Sequence, residues 1–374
     1  MPNKIPVYHG LDDKDRQRLM LDIANAYKIA SAAIPTAYDG VKDEDIGPTS
    51  DVPLEIPEFR DLIGIDPAVY RQINAALKTG KQHFMLYGPP GTGKTTIAQF
   101  IAETLHDTYT MITGSADWTS QDVIGGYQPV GEGNVRFVPG VLLQNFDRPL
   151  IIDELNRCDI DKVIGPLFTV LSEQKTTLPY RTEVSDKNST AYVILPKPKS
   201  GAGDHEFAPK RGWRIISTIN SIDKAALYQM SFALTRRFGW IYVDVPRNLQ
   251  AFLLEYLRKK DLIAEEAEPS SAEIPLARIW SAVNGVRVIG PAPVLDMLNT
   301  IKAIDAEIDL ISPPNQDQAM AYLDGFYMYI LPMLDGILLK EANEVEEGLR
   351  EALGLEEGSE ESGMLAERLR NAAI

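Results

Sequence analysis

"MLYGPPGTGKTT", residues 85–96, carries the spacing G-x-x-x-x-G-K-[ST] through Gly88, Gly93, Lys94 and Thr95. A strand-like run, HFMLYG, leads into it, and a helical pattern over 94–106 leads out. That context is what the motif requires. Glycines let the backbone curl so that several N–H groups aim at one anion. The helix opening near Lys94 adds the positive end of its dipole. The Lys94 ammonium is a point charge for β- and γ-phosphates, and the Thr95 hydroxyl suits Mg²⁺, a hard ion that keeps most of its waters. The candidate phosphate-binding residues are therefore Gly88, Pro89, Pro90, Gly91, Thr92, Gly93, Lys94, Thr95 and Thr96. A plain Gly-Pro turn before a helix would explain the glycines. It would not explain strand, lysine and hydroxyl arriving together.

A second stretch, PLIIDELNRCDID at 149–161, sets two carboxylates at the end of an apolar run. Alone it reads as a capped turn, since acids often end strands and start helices. Beside a phosphate loop it has a chemical use. Asp153 supplies the carboxylate that a nucleotide-bound Mg²⁺ needs from a neighbouring strand end. Glu154 supplies a base that orients and polarises water. Adjacent residues at a strand end leave in different directions, so one acid faces metal while the other faces water.

Outward from these motifs, strand-like runs alternate with helical ones: HFMLYG, YTMITG, PLIIDE, WRIISTIN and WIYVDV, with helices expected at 94–106, 161–173 and 223–236. Such alternation predicts an α/β domain with a parallel sheet and helices on both faces. Two insertions interrupt it. Residues 125–140 read as a hairpin with its tip at Gly131–Asn134, and 178–212 read as a long, loop-rich segment. Beyond about residue 246 helical periodicity dominates, as in NLQAFLLEYLRKK (248–260) and PVLDMLNTIKAIDAEIDLI (293–311). The expected organisation is an N-terminal helical extension and linker (1–58, helix at 11–34), an α/β core (59–245), a helical lid (246–340) and an acidic tail (341–374). That tail reads as a solvated helix or a frayed end.

The chain has 374 residues and a net charge of −16. That charge weighs against indiscriminate nucleic-acid binding, which needs basic surface. One cysteine, Cys158, gives no internal disulfide and fits a reducing compartment. MPNKIPVYHGLDDKDRQ (1–17) has no apolar h-region, so no signal peptide is expected. The run GFYMYILPML (325–334) is too short to span a bilayer and reads as a core helix. A cytoplasmic location without membrane association is expected.

The chain resembles the AAA+ ATPases from about residue 59 to 340. WRIISTINSID looks like the sensor-1 strand, ending in Asn220, and SFALTRRFGW looks like the arginine-finger segment, with Arg236 and Arg237. Within the family, DELNRCDIDKVIGPLFTVLSEQKTTLPY and the two insertions resemble the MoxR, McrB and dynein-related branch. The resemblance implies a P-loop NTPase sheet with a C-terminal helical lid. It implies ATP, with GTP possible, and Mg²⁺ as cofactors. Thr95 and Asp153 would bind metal, and Lys94, Glu154 and Asn220 would act in catalysis. A finger would enter from the neighbouring subunit of a ring, hexameric by analogy, with Arg237 the first choice. Ile63 and Gly64 in FRDLIGID would reach the base by backbone and apolar contact. Asn156 and Arg157 belong to the branch signature. Arg157 could bridge to a neighbour's acid or phosphate.

The implied partner is a client protein or a von Willebrand-type domain protein. The alternative is a McrB-like motor subunit working with a nuclease, and a third reading is a nucleotide-gated scaffold with little turnover. One departure stands out. The sensor-2 arginine expected early in a lid helix is absent from VRVIGPAPVLDML, where Pro291 and Ala292 stand, with Arg287 upstream as a candidate substitute.

The remaining candidates read more simply. His9, His83, His106 and His205 have no metal-ligand spacing, and Cys158 reads as structural. Trp118 reads as core in preference to a pore or partner surface. Lys197, Lys199, Lys210 and Arg211 read as a solvated segment before a nucleic-acid or acidic-protein contact.

Overall fold

Five strands build the central sheet of the computed structural model, which describes residues 55–131, 134–221 and 235–374. Helix α1, Pro67–Lys78, is capped by Asp66, whose carboxylate accepts from the Ala68 N–H. It leads into β1 (His83–Gly88) and then α2 (Lys94–Leu105). Strands β2 (Thr110–Thr113) and β5 (Leu150–Asp153) enclose the hairpin β3 (Gly125–Pro129) and β4 (Val135–Pro139). Strands β6 (Thr176–Arg181), β7 (Ala191–Ile194) and β8 (Glu206–Phe207) follow, then β9 (Ile215–Asn220) and β10 (Phe238–Tyr242). The sheet order is β10-β1-β9-β5-β2, and every described pairing in it is parallel. All carboxyl ends therefore open on one edge, where ligands of such sheets bind.

The pleat sorts side chains by alternation. Phe84, Leu86, Ile151 and Ile216 pack on one face with Ile73 of α1 and Ile97 and Ile101 of α2. Met85, Leu150, Ile152 and Ile215 pack on the other with Val123, Val163 and Leu167.

The expected helix over 161–173 is broken. It runs only Ile160–Ile164, followed by 3₁₀ turns at Gly165–Leu167 and Val170–Ser172. Pro166 has no N–H to continue the ladder, and its ring clashes with the preceding turn. Strand β10 starts two residues before the expected WIYVDV because Phe238 and Gly239 already pair with His83 and Phe84. The segment 178–212 is less loop-like than read. With Thr176 and Thr177 it carries a three-stranded sheet, β6-β7-β8. This sheet packs on the hairpin through Phe137, Tyr180, Tyr192 and Phe207, and the Tyr127 hydroxyl accepts from the Arg181 N–H at 2.6 Å. The two insertions thus form one body. The helix expected at 11–34 and most of that at 223–236 lie outside the described residues, as do His9 and, at the hairpin tip, Glu132 and Gly133.

The helical half comprises α3 (Leu249–Lys259), α4 (Pro275–Val286), α5 (Pro291–Ile304), α6 (Gln316–Tyr329), α7 (Leu339–Leu353) and α8 (Glu360–Ala372). Helix α5 starts at a proline, favoured at N1. It stops at Asp305, short of the expected 311. The run 325–334 forms the end of α6 and a 3₁₀ turn at Leu331–Leu334, again at a proline. The acidic stretch 341–374 departs from its reading as a solvated or frayed end. Val345, Leu349, Leu365 and Leu369 are buried in the same cluster as Trp280 and Phe326. The described residues, from 55 onward, belong to one compact unit. Among the described residues no helix is long and apolar enough to cross a membrane.

Candidate functional site

The turn after β1 hands the chain to α2 through Gly93, which takes φ 80°. That left-handed backbone favours glycine. Lys94 follows at once and is 5% exposed. Its ammonium donates to the Gly88 and Pro89 carbonyls at 3.1 and 2.6 Å, inside its own loop. Burial lowers its pKa to about 8, with the nearby charges of Asp153 and Glu154 acting the other way. The Thr92 hydroxyl donates to the Pro89 carbonyl at 3.0 Å and tightens the same turn. Thr96 is half-buried one residue beyond Thr95.

Asp153 ends β5 next to α2. Its Oδ1 accepts the Thr95 hydroxyl at 2.7 Å and the Thr218 hydroxyl at 2.6 Å. Thr218 also accepts the Glu154 N–H at 2.9 Å. Glu154 itself sits at φ 50°, ψ 47°. A non-glycine residue rarely adopts that conformation, and the surroundings must hold it there. Its carboxylate forms an ion pair with Arg157. The two adjacent acids thus have different partners, hydroxyls for Asp153 and a guanidinium for Glu154.

Thr218 is a residue that motif reading passes over. It is 2% exposed and lies two positions before Asn220 on β9. The period of a strand puts 218 and 220 on one face, and that was the available signal. Asn220 ends its strand in register with Gly88, and the Ser221 N–H donates to the Gly88 carbonyl at 2.9 Å. Lys94, Thr95, Asp153, Glu154, Thr218 and Asn220 therefore belong to one neighbourhood.

The two candidate fingers have different environments. The Arg237 guanidinium donates to the Ser172 hydroxyl at 2.9 Å and to the Phe168 carbonyl at 3.3 Å, tying it to its own chain. Arg236 is exposed, and its backbone carbonyl accepts the Lys81 ammonium at 2.7 Å. Arg287, the candidate substitute for sensor 2, is engaged elsewhere. It donates to the Met333 and Asp335 carbonyls within the lid.

On the base side, Gly64 takes φ 81° and lines a cleft of about 600 Å³ with Asp66, Tyr242, Pro246, Asn248 and Phe252. Ile63 packs against the helical cluster. Leu62 touches the phosphate loop, 3.2 Å from where a Gly93 Cβ would stand.

A family model described as an AAA domain of the dynein-related subfamily matches residues 83–238. Residues 83–238 thus form an AAA+ ATPase domain of the MoxR and dynein-related branch. A gas vesicle ATPase, GvpN2 of Halobacterium salinarum, is 24% identical over 214 residues, covering 54% of this chain and 56% of the relative. The Holliday junction branch migration subunit RuvB of Mycoplasma genitalium is 38% identical over 86 residues, 21% of this chain and 28% of that one. The chain thus spans about half the length of the first relative and about a quarter of the second. A solved RuvB branch migration motor from Thermotoga maritima covers 81% of this chain and 86% of its own, at 19% identity and a TM-score of 0.40.

The other candidates of the sequence have structural environments. His83 is buried and its Nδ1 accepts the Ile215 N–H at 3.0 Å; burial pushes its pKa down to about 3. The His106 ring bonds to Thr108, and His205 lies against Gly203. The buried Cys158 thiol donates to the Leu155 carbonyl, and burial pushes its pKa up to about 11. Trp118 packs against the sheet's second cluster. Lys197 pairs with Glu173 and Lys199 with Glu206.

Proposed function

We propose that the protein is a Mg²⁺-dependent ATPase that works in the cytoplasm as a hexameric ring and couples hydrolysis to remodelling a partner protein. The observation that carries this reading is the Thr95–Asp153–Thr218 oxygen cluster beside Lys94, with Glu154 next in the chain and paired to Arg157. Thr95 and Asp153 offer two hard oxygens 2.7 Å apart. They suit a Mg²⁺ that takes few protein oxygens and leaves the rest to phosphate and water. A bound Mg²⁺ would neutralise charge on the phosphate oxygens.

This chain's own residues account for the rest. The phosphate loop binds, and Lys94 exchanges its two carbonyl partners for phosphate oxygens. Asn220 and Glu154 orient the attacking water, and Glu154 takes its proton. Arg157 at Oε2 steadies the Glu154 carboxylate. Charge developing on the γ-phosphate is met by an arginine of the neighbouring subunit, a contribution of about 10³–10⁵ in rate where such fingers are known. Arg236 fits that role better than Arg237, the choice on sequence alone, because Arg237 is bound to Ser172 and Phe168 of its own chain. A protein partner is favoured over nucleic acid by the net charge of −16 and by the internal pairing of Lys197 and Lys199.

The test is steady-state hydrolysis with ATP and GTP side by side. Glu154→Gln is expected to keep nucleotide binding and assembly while turnover falls about 10²–10⁴-fold. Turnover at the wild-type rate in that variant would remove Glu154 as the base. A preference for GTP would redirect the reading to a GTP-driven motor.

A further inference from the structure

The lid meets the phosphate loop through backbone atoms. The Gly290 N–H donates to the Pro90 carbonyl at 2.8 Å, and the Ala292 N–H donates to the Gly91 carbonyl at 3.1 Å. Gly290 itself has φ −75° and ψ −179°, values any residue adopts. Its own conformation does not require glycine, but its neighbour does. A Cβ at 290 would stand 2.3 Å from the Gly91 carbonyl carbon and 2.5 Å from the Thr92 nitrogen. A Cβ on Gly91 would stand 2.8 Å from Pro293 Cδ. Two glycines, one from each half of the molecule, are interlocked.

The lid side of this contact is braced. The Ile289 N–H donates to Asn284 Oδ1 at 2.9 Å, and the indole N–H of fully buried Trp280 donates to the Ile289 carbonyl at 2.9 Å. Residues 288–301 contain no lysine or arginine, and Arg287 is spent on Met333 and Asp335. The lid thus brings no free cation from this turn to the loop.

A peptide unit is planar and trans, so its C=O and N–H point in opposite directions. Fixing the Pro90 carbonyl on the lid turns the Gly91 N–H away from the lid. Fixing the Gly91 carbonyl does the same for the Thr92 N–H. The aim of such loop amides decides whether an anion is cradled. We propose that Gly290 and Ala292 are positioning residues that latch the lid to the phosphate loop and set the aim of its amides, so that lid pose and phosphate binding are one equilibrium. The proposal rests on the ATP-binding reading above. The backbone latch takes the place of a cationic lid side chain.

The test is calorimetric titration of ATP into the full chain and three variants, with hydrogen exchange over the 285–295 segment. Gly290→Ala pushes the two backbones apart. Ala292→Pro deletes the donor and sets its ring Cδ against the Gly91 carbonyl, in a first helical turn where an N–H has no intrahelical partner. Gly285→Ala is the control, since a Cβ there meets nothing within 4 Å. Loss of the latch bonds is expected to weaken ATP binding about tenfold or more in both latch variants. Their unfolding midpoints are expected to stay near wild type. Exchange in the segment should slow on adding ATP in the wild type and lose that response in both variants. Should Gly290→Ala fail to fold, Ala292→Pro decides alone. Wild-type affinity and an intact exchange response in the variants would overturn the latch while leaving ATP binding standing. Affinity lost only together with the unfolding midpoint would also overturn it, in favour of a merely structural contact. A wild-type chain that binds no ATP would instead overturn the ATPase reading, and the latch with it.

Discussion

The acid cluster at the strand ends and the turn that opens the lid both touch the phosphate loop, and they use different chemistry. At the strand ends, side chains make the contact: the Thr95 and Thr218 hydroxyls converge on one oxygen of Asp153. At the lid, two backbone N–H groups bond two backbone carbonyls, and the residues involved are chosen for lacking side-chain bulk. The first arrangement supplies groups that can hold a cation or take a proton. The second supplies none and can only aim what the loop already has. Variants on the two sides should therefore fail in different kinetic constants.

The largest effect expected on the strand-end side, short of removing Glu154, comes from Thr218→Val. It keeps the shape and removes the hydroxyl that holds both Asp153 and the Glu154 N–H. A part-buried N–H then loses its partner, at a cost of about 1 kcal/mol. The expected result is kcat lower by about ten- to a hundredfold, KM little changed, and recovery in Thr218→Ser. Equal losses in kcat and affinity would blur the contrast with Gly290→Ala, where affinity leads.

The lid must be a firm body for its turn to aim anything. Leu365 lies in the acidic stretch and is fully buried. Leu365→Ala is expected to cost about 2–5 kcal/mol in denaturant unfolding. A cost below about 0.5 kcal/mol, the range of surface substitutions, would mean that α8 is peripheral to the lid.

The smallest effect concerns pH. Burial holds the Lys94 pKa at about 8, below its ordinary 10.5, so the charged form is complete only below that value. Phosphates need the charged form and raise the pKa when they bind. ATP affinity is therefore expected to be flat below about pH 7 and to weaken above about pH 8, at most tenfold per unit. Lys94→Gln should bind weakly at every pH and lose the slope. A wild-type affinity independent of pH between about 7 and 9.5 would contradict the burial of that ammonium.

The difference between the two regions also explains what could be read in the sequence. That Lys94, Thr95 and Asp153 lie together was legible because phosphate and metal binding demand particular side chains at a fixed spacing. The strands around them were legible because apolar, β-branched runs end in glycine or an acid. Thr218 was hidden in a strand already explained by burial. Arg236 and Arg237 differ only in environment, which two adjacent arginines cannot reveal. In 341–374, ten acids against three bases drew the reading toward solvent, although Leu349, Leu353, Leu365 and Leu369 recur at helical spacing. Gly290 was the least legible. A backbone N–H is common to every residue but proline, so only the packed structure shows which one matters.

Subunit mixing tests the shared site most directly. Arg236→Ala chains keep Glu154 and lack the finger, whereas Glu154→Gln chains keep the finger and lack the base. Each alone is expected to be nearly inactive. Mixed before assembly, they should regain hydrolysis at junctions that join an intact Glu154 to an intact Arg236, about a quarter of all junctions in an equal random mixture. Mixed assemblies that form and stay as inactive as either parent would contradict a site completed by Arg236 of the neighbouring subunit.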